Sequence, residues 1–316
     1  IYDTTKDSDG GAWRKRVQHT SWYNEKLNTT TRGSRKEFPV VAVIVAESNK
    51  VTIYDGDDPA MPMWMVFNQV STGDMLNSGG GVTKSIVSLN GIIVWGAEYD
   101  AHILYLLLDK KVHIQNANTH QNRGDISQRN SNSGYTQISS SNPIVNRAVN
   151  DVAMTVLPNA PIDAATGLPV PTIAVATDGG VSVITDSGAV CDSDYTESIR
   201  DLAFDGDNTL FYMRNSSSYL LLMAEPSEYA SGDGFGTSIA STGVGNQEFD
   251  LISVRSQTNL AFSKGFLASG GVSSTTGSRL LGLYDIDKSN PTNTMAAGIH
   301  YDYNTGWMHG DIKLAT

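Results

Sequence analysis

The sequence predicts an all-β fold, a β-propeller of about five to seven four-stranded blades, with a β-sandwich as the alternative. Three observations lead there. Short β-branched and aromatic runs alternate with Gly, Asn and Asp turns. Hairpin-sized copies recur along the chain. A Tyr-Asp…Trp signature returns at nearly constant spacing, as expected of duplicated units of roughly 40 to 50 residues.

The elements follow in order. The chain opens directly in Ile1-Tyr2-Asp3, which reads as the end of a strand, so a piece of a longer polypeptide is expected. Helical periodicity is scarce. The one helix expected is Ser21 to Leu27, with Ser21 as its cap and Glu25 in its first turn. Pro39 to Ala46 leads through Glu47-Ser48-Asn49-Lys50 into Val51 to Tyr54. Ser85 to Leu89 leads through Asn90-Gly91 into Ile92 to Trp95, and Thr172 to Thr177 through Asp178-Gly179-Gly180 into Val181 to Ile184. Asn-Gly and Asp-Gly supply the positive φ values that tight hairpin turns need.

A coarser repeat lies above the hairpins. Ile199 to Phe204, the turn Asp205 to Asn208 and Leu210 to Met213 match Lys84 to Trp95 in layout, as do Phe249 to Val254 and Leu260 to Phe262 around Ser256-Gln257. The signature pairs Tyr2-Asp3 with Trp13, Tyr54-Asp55 with Trp64, and Tyr301-Asp302 with Trp307. A single domain over 1–316 is expected, with blades near 36–68, 80–117, 147–191, 197–230 and 248–290. Strands from 1–16 and 295–316 would close the ring. One blade cannot bury both of its faces alone, so neighbours must stack. Three segments fall outside this scheme: Gln115 to Asn142 (expected as an exposed polar loop or insertion over 115–142), the proline-rich Leu157 to Pro171, and Tyr229 to Asn246.

Composition narrows the function. Charged residues are 17% of the chain, and Lys+Arg 22 against Asp+Glu 33 leaves a net charge of −11, which disfavours nucleic acid as a partner. The longest apolar run, Ile103 to Leu108, stops at Asp109-Lys110-Lys111, far short of the roughly 18–20 residues a spanning helix needs, so no membrane insertion is expected. Cys191 is the only cysteine, which excludes an intramolecular disulfide and a Cys-rich zinc site; it reads as a buried bystander thiol.

The search for chemistry assigns no catalytic residue and no metal ligand. His102 and His113 flank one predicted hairpin and His300 and His309 another, and strand-end or surface positions are expected for them. The Asp-rich turns Asp7-Ser8-Asp9, Asp55-Gly56-Asp57-Asp58 and Asp205-Gly206-Asp207 could present oxygens to Ca²⁺, but lack the bidentate Glu of a calcium loop, so turn-forming roles are preferred. No other cofactor is expected. There is no Gly-rich phosphate loop and no Gly-x-Ser-x-Gly elbow. Arg123-Gly124-Asp125 spells an adhesion tripeptide and is read as chance. Arg14-Lys15-Arg16 with Arg32, Arg35 and Lys36 forms the positive patches, which could steer one end toward an acidic neighbour. Asp7 to Trp13 resembles the Asp-box of sialidase-like propellers, with Trp and Gly present and the Ser and Asp one position out of register; that box stabilises a turn and carries no catalysis.

Tyr2 to Trp22 and Phe38 to Phe67 resemble segments of large virion proteins of tailed bacteriophages, marine ones especially, in which a run like Tyr301 to Lys313 precedes sugar-binding-type β-modules. The resemblance implies a tail, fibre or appendage component, located in the virion and outside the cell. It implies other tail subunits as partners, with host-surface glycans as ligands, and transfers no catalytic residue. The expected function is therefore a non-enzymatic structural or adhesion domain. Aromatic rings stack on sugars while amides and carboxylates bond their hydroxyls, which singles out Trp64, Trp307 and Tyr135. The alternative is a propeller-fold glycan-cleaving enzyme, a glycoside hydrolase or depolymerase, which would need two carboxylates facing one another.

Overall fold

The structure, a computed structural model, describes residues 1–47, 49–68, 82–114, 118–131, 136–139, 144–194, 196–214, 220–229, 234–240, 259–263, 266–272, 279–289 and 295–301. It is all-β and built from propeller-type blades, with strands in each sheet following chain order. Sheet one holds β1 (Tyr2–Asp3), β2 (Val41–Glu47), β3 (Lys50–Asp55) and β4 (Met63–Asn68). Sheet two holds β5 (Thr83–Leu89), β6 (Ile92–Ala97), β7 (Ala101–Tyr105), β8 (Lys110–Ile114), β9 (Thr119–Arg123) and β10 (Thr136–Ser139). Sheet three holds β11 (Val149–Thr155), β12 (Thr172–Thr177), β13 (Gly180–Ile184) and β14 (Val190–Asp192). Sheet four runs from β15 (Ile199–Phe204) and β16 (Leu210–Arg214) to β17 (Leu220–Ala224) and β18 (Thr237–Ala240). Sheet five contains β19 (Asn259–Ser263), β20 (Phe266–Val272), β21 (Arg279–Asp285) and β22 (Met295–Tyr301). A Greek-key sandwich places a returning strand beside the first of its set. No sheet among the described residues does so.

Where the sequence reading has one domain, the residues group into two compact units: 1–175 with 183–190, and 176–182 with 191–316. In the first unit, sheet two buries both faces. Ile93, Trp95 and Leu104 enter a core with Trp13, Trp22, Phe38, Trp64 and Phe67. Their strand neighbours Val94, Ile103 and Val112 enter a second core with Val149, Val152, Ile173 and Val175. Alternation along each strand sends successive side chains to opposite faces, so a six-residue run such as Ile92–Ala97 feeds both cores. Gly96 permits the close approach of sheet three: a Cβ there would lie 2.5 Å from Val149 Cγ1. In the second unit, Tyr212, Tyr229 and Phe235 pack edge to face, and the Tyr229 hydroxyl donates to Asn208 O at 2.8 Å.

The Asn90-Gly91 turn forms as its residues demand, with φ of 53° and 73° joining β5 to β6. Other expectations are corrected. Within 115–142, expected as an exposed polar loop or insertion, the described residues carry β9 and β10, which extend sheet two from four strands to six, and a 3₁₀ turn at Ile126–Gln128 with Ile126 fully buried. The expected helix at Ser21 to Leu27 is a short 3₁₀ segment, Ser21–Asn24, capped by Thr20, and a second spans Ala12–His19. The terminal strands do not share a sheet among the described residues, since β1 joins sheet one and β22 joins sheet five. The Tyr-Asp…Trp spacing does not mark equivalent positions either. Trp13 lies on a 3₁₀ helix and Trp64 on β4. Asp302 and Trp307 of the third copy, and the repeat copy at Phe249 to Val254, lie outside the described residues.

Candidate functional site

The most chemically distinctive place is a row of rings across sheet two. Backbone register makes Trp95 and His102 direct partners on β6 and β7, His102 and His113 on β7 and β8, and His113 and His120 on β8 and β9. Residues opposite one another project to the same face at close range. The rings therefore stack: Trp95 on His102 with centroids 5.0 Å apart, His102 on His113 at 4.9 Å, and His113 against His120 at 5.4 Å. Leu104, Lys111 and Asn122 form the next row on this face. Lys111 and Asn122 are fully buried.

Asp100 ends the tight turn between β6 and β7, which reciprocal Ala97–Asp100 backbone hydrogen bonds close. Its carboxylate lies over the histidine row, with Oδ2 2.7 Å from His113 Nε2 and 4.0 Å from His102 Nε2. Asp100 and His102 are 0% exposed and His113 is 1%. One ligand atom from each of these three residues lies within 4.8 Å of the other two, so this trio could hold a metal ion. Burial, reinforced by the Lys111 charge and by His113, holds the His102 pKa well below the ordinary imidazole value. Burial also lowers that of His113, although the Asp100 hydrogen bond opposes it. His120 is lowered too, chiefly by burial. Neutral imidazoles with available lone pairs are what a metal requires.

The residues singled out in the sequence fall elsewhere. Trp64 is 1% exposed, packs against Phe38 and Trp22, and donates from Nε1 to Glu37 O at 2.9 Å, so it is core and presents no face to a ligand. Tyr135 and Trp307 lie outside the described residues. The Asp-rich turns point their oxygens at donors of the fold. Asp57 receives Val40 and Val41 N–H at 2.8 Å, and Asp55 receives Arg35 Nε at 2.6 Å. Asp205 receives the Lys288 ammonium at 2.5 Å. The positive patches are also used internally: Arg14 donates to Phe38 O, Arg16 to Asp9, and Arg32 to Trp22 O. Arg32 sits 5.1 Å above the Trp64 ring, and burial lowers its pKa to about 10. Asp125 of the Arg-Gly-Asp tripeptide caps the 3₁₀ turn through Ser127 N–H. Cys191 is buried.

A small pocket lies beside the Asn90-Gly91 turn, lined by Tyr105, Asp163, Thr166 and Pro169 among others, with a volume near 40 Å³. The phenol of Tyr105 is pushed up to about 12 by burial, with Asp163 adding to the effect. A benzene-sized ligand needs about 150 Å³, so the pocket is too small for a sugar ring.

The histidine row carries no local sequence motif. The signal that could have found it is the recurrence of His at strand positions 102, 113 and 120, each two residues from a polar or apolar partner on the same face.

No family model and no curated protein sequence matches the chain. Among solved structures, it is similar to a Bacteroides fragilis protein provisionally named a 6-phosphogluconolactonase, at 9% identity and a TM-score of 0.43, covering 87% of this chain and 72% of that one. It is similar to the WD40 domain of SCAP from fission yeast at 13% identity and 0.37, covering 79% and 54%. It also resembles the extracellular domain of a provisionally named hybrid two-component system from B. thetaiotaomicron at 12% identity and 0.31, covering 85% of this chain and only 31% of that longer one. At these scores the blade assignment stands on the meander sheets themselves.

Proposed function

We propose that this chain is a non-enzymatic β-propeller domain for assembly and adhesion, of the kind found in tail or appendage proteins of tailed phages. One observation carries the reading: among the described residues, the carboxylates of the Asp-rich turns are engaged by donors of the fold. Asp7, Asp55, Asp57 and Asp205 receive backbone N–H groups, ring donors or cations, while Asp100 faces buried imidazoles. The virion setting rests on the resemblance of Tyr2 to Trp22 and Phe38 to Phe67 to phage virion proteins. The net charge of −11 supports protein or glycan partners over nucleic acid. No helix among the described residues is long and apolar enough to cross a membrane.

A glycan array combined with a reducing-sugar assay tests this. Binding without release of new sugar ends is the expected outcome, and substitution of Trp307 or Tyr135 by Ala should weaken it. Release of sugar ends would overturn the reading in favour of a hydrolase, whose carboxylate pair would have to lie about 5 to 10 Å apart.

A further inference from the structure

We propose that Asp100, His102 and His113 are the ligands of a buried structural transition-metal ion, zinc in the first instance. The placement follows from register. His102 and His113 are cross-strand partners on β7 and β8, and the β6–β7 turn brings Asp100 over the same spot. A tetrahedral site with ligand bonds of 2.0–2.1 Å has an edge of about 3.3 Å. The two Nε2-to-Oδ2 separations, 2.7 and 4.0 Å, bracket that edge.

The donor set selects the ion. Two imidazoles and a carboxylate suit zinc, whereas calcium and magnesium take six or more oxygens. A second observation points to a ligand independently of the distances. His102 is 0% exposed, and neither of its ring nitrogens has a hydrogen-bond partner among the described residues. A buried polar atom left without a partner is costly, and coordination satisfies it. The contrast with Asp7 sharpens the point: that carboxylate takes a hydroxyl, an indole N–H and a backbone N–H, while no hydrogen bond from a backbone N–H reaches Asp100 among the described residues.

The trio would pin the β6–β7 turn to β8. Full burial keeps the site from bulk solvent, so an ion would load during folding, with the trio supplying three of its four ligands. Lys111 stands in the next row of the same sheet face, opposite Leu104 and Asn122, and is fully buried there; its charge helps to lower the pKa of His102, His113 and His120. Its charge opposes a dication, so the Asp100 carboxylate must offset it.

The test uses the full chain, unfolded in chelator and refolded with zinc or with cobalt(II). After gel filtration, elemental analysis should find one zinc per chain, and the cobalt form should show the visible absorption of a tetrahedral site. His102→Gln and Asp100→Asn should lose zinc affinity by roughly a hundredfold or more, since even outer-shell changes cost 10–100-fold. Lys111→Met should bind zinc more tightly, a gain that a merely structural lysine would not produce. If a ligand variant does not fold, X-ray absorption of the zinc-loaded wild type decides instead, two imidazoles and one carboxylate being the expected shell. Folded protein that retains no zinc, or variants that retain it as well as wild type, would overturn the proposal.

Discussion

Two buried carboxylates in the first unit, Asp7 and Asp100, solve the same problem in opposite ways. Asp7 sits at the centre of neutral donors: Tyr2 Oη and Trp13 Nε1 each donate to Oδ2 at 2.6 Å, and Asn90 N–H donates to Oδ1 at 2.9 Å. The Tyr2 hydroxyl in turn accepts from Gly91 N–H at 2.9 Å. Its negative charge is stabilised by fixed dipoles, yet burial still raises its pKa above the usual 3.8. Asp100 has imidazoles and a nearby ammonium instead, groups that can exchange a proton or share a metal. One carboxylate is fully committed to holding the chain together. The other faces rings whose charge depends on pH.

Four measurements break or sharpen this comparison. The largest effect belongs to Asp7→Asn, whose amide turns an N–H₂ toward buried donors. At about 1–3 kcal/mol for each group left unsatisfied, we expect a loss of roughly 3 kcal/mol or more in urea unfolding. A loss within experimental scatter would show that the hub is not needed. Next in size is the pH response of the histidine row in the presence of chelator. The fold lowers the pKa of His102 and His113, chiefly by burial, while the unfolded chain protonates them near pH 6.5, so near that pH the unfolded state binds more protons. Stability is then fully present above that pH and falls below it, by up to about 1.4 kcal/mol per pH unit for each histidine. His102→Phe keeps the stack between Trp95 and His113 and should flatten the slope; an unchanged slope would place the titration elsewhere. Asp7 acts with the opposite sign in a lower window: its raised pKa makes its contribution decline as pH rises above about 3.8.

Gly91→Ala comes third. Gly91 has φ of 73°, and a Cβ would meet the Trp13 ring at 3.1 Å. The left-handed backbone alone costs about 1–2 kcal/mol, so a drop of that order in thermal unfolding is expected, confined to the Asp7 side of the comparison. Smallest is Arg16→Ala. Its pair with Asp9 is 2.9 Å long, but the arginine side chain is 40% exposed, and such pairs contribute about 1 kcal/mol or less. A larger effect would mean that the contact of Arg16 with Thr166 O, not the ion pair, carries its role.

Much of the blade pattern was legible because hairpins are local. Asn90-Gly91 asks for positive φ wherever it stands, and alternating apolar runs such as Ile92 to Trp95 declare a strand without help from distant residues. The strands β9 and β10 were not legible for a physical reason. Thr119–Arg123 is polar throughout, and a polar run normally reads as a loop. Here His120 stacks on His113 and Asn122 is buried opposite Lys111, so a polar strand pairs with a polar row. The likeness between Tyr2…Trp13 and Tyr54…Trp64 misled for a related reason: spacing reports neither element type nor partner. Trp13 donates to Asp7, and Trp64 to the Glu37 carbonyl.

Taken alone, the sequence determined that this protein would be a chain of antiparallel meanders, because turn chemistry and side-chain alternation act over a few residues. Only the tertiary structure decided which charged groups meet. Asp100, His102 and His113 span a turn and two strands, and their approach depends on a register that cross-strand packing sets.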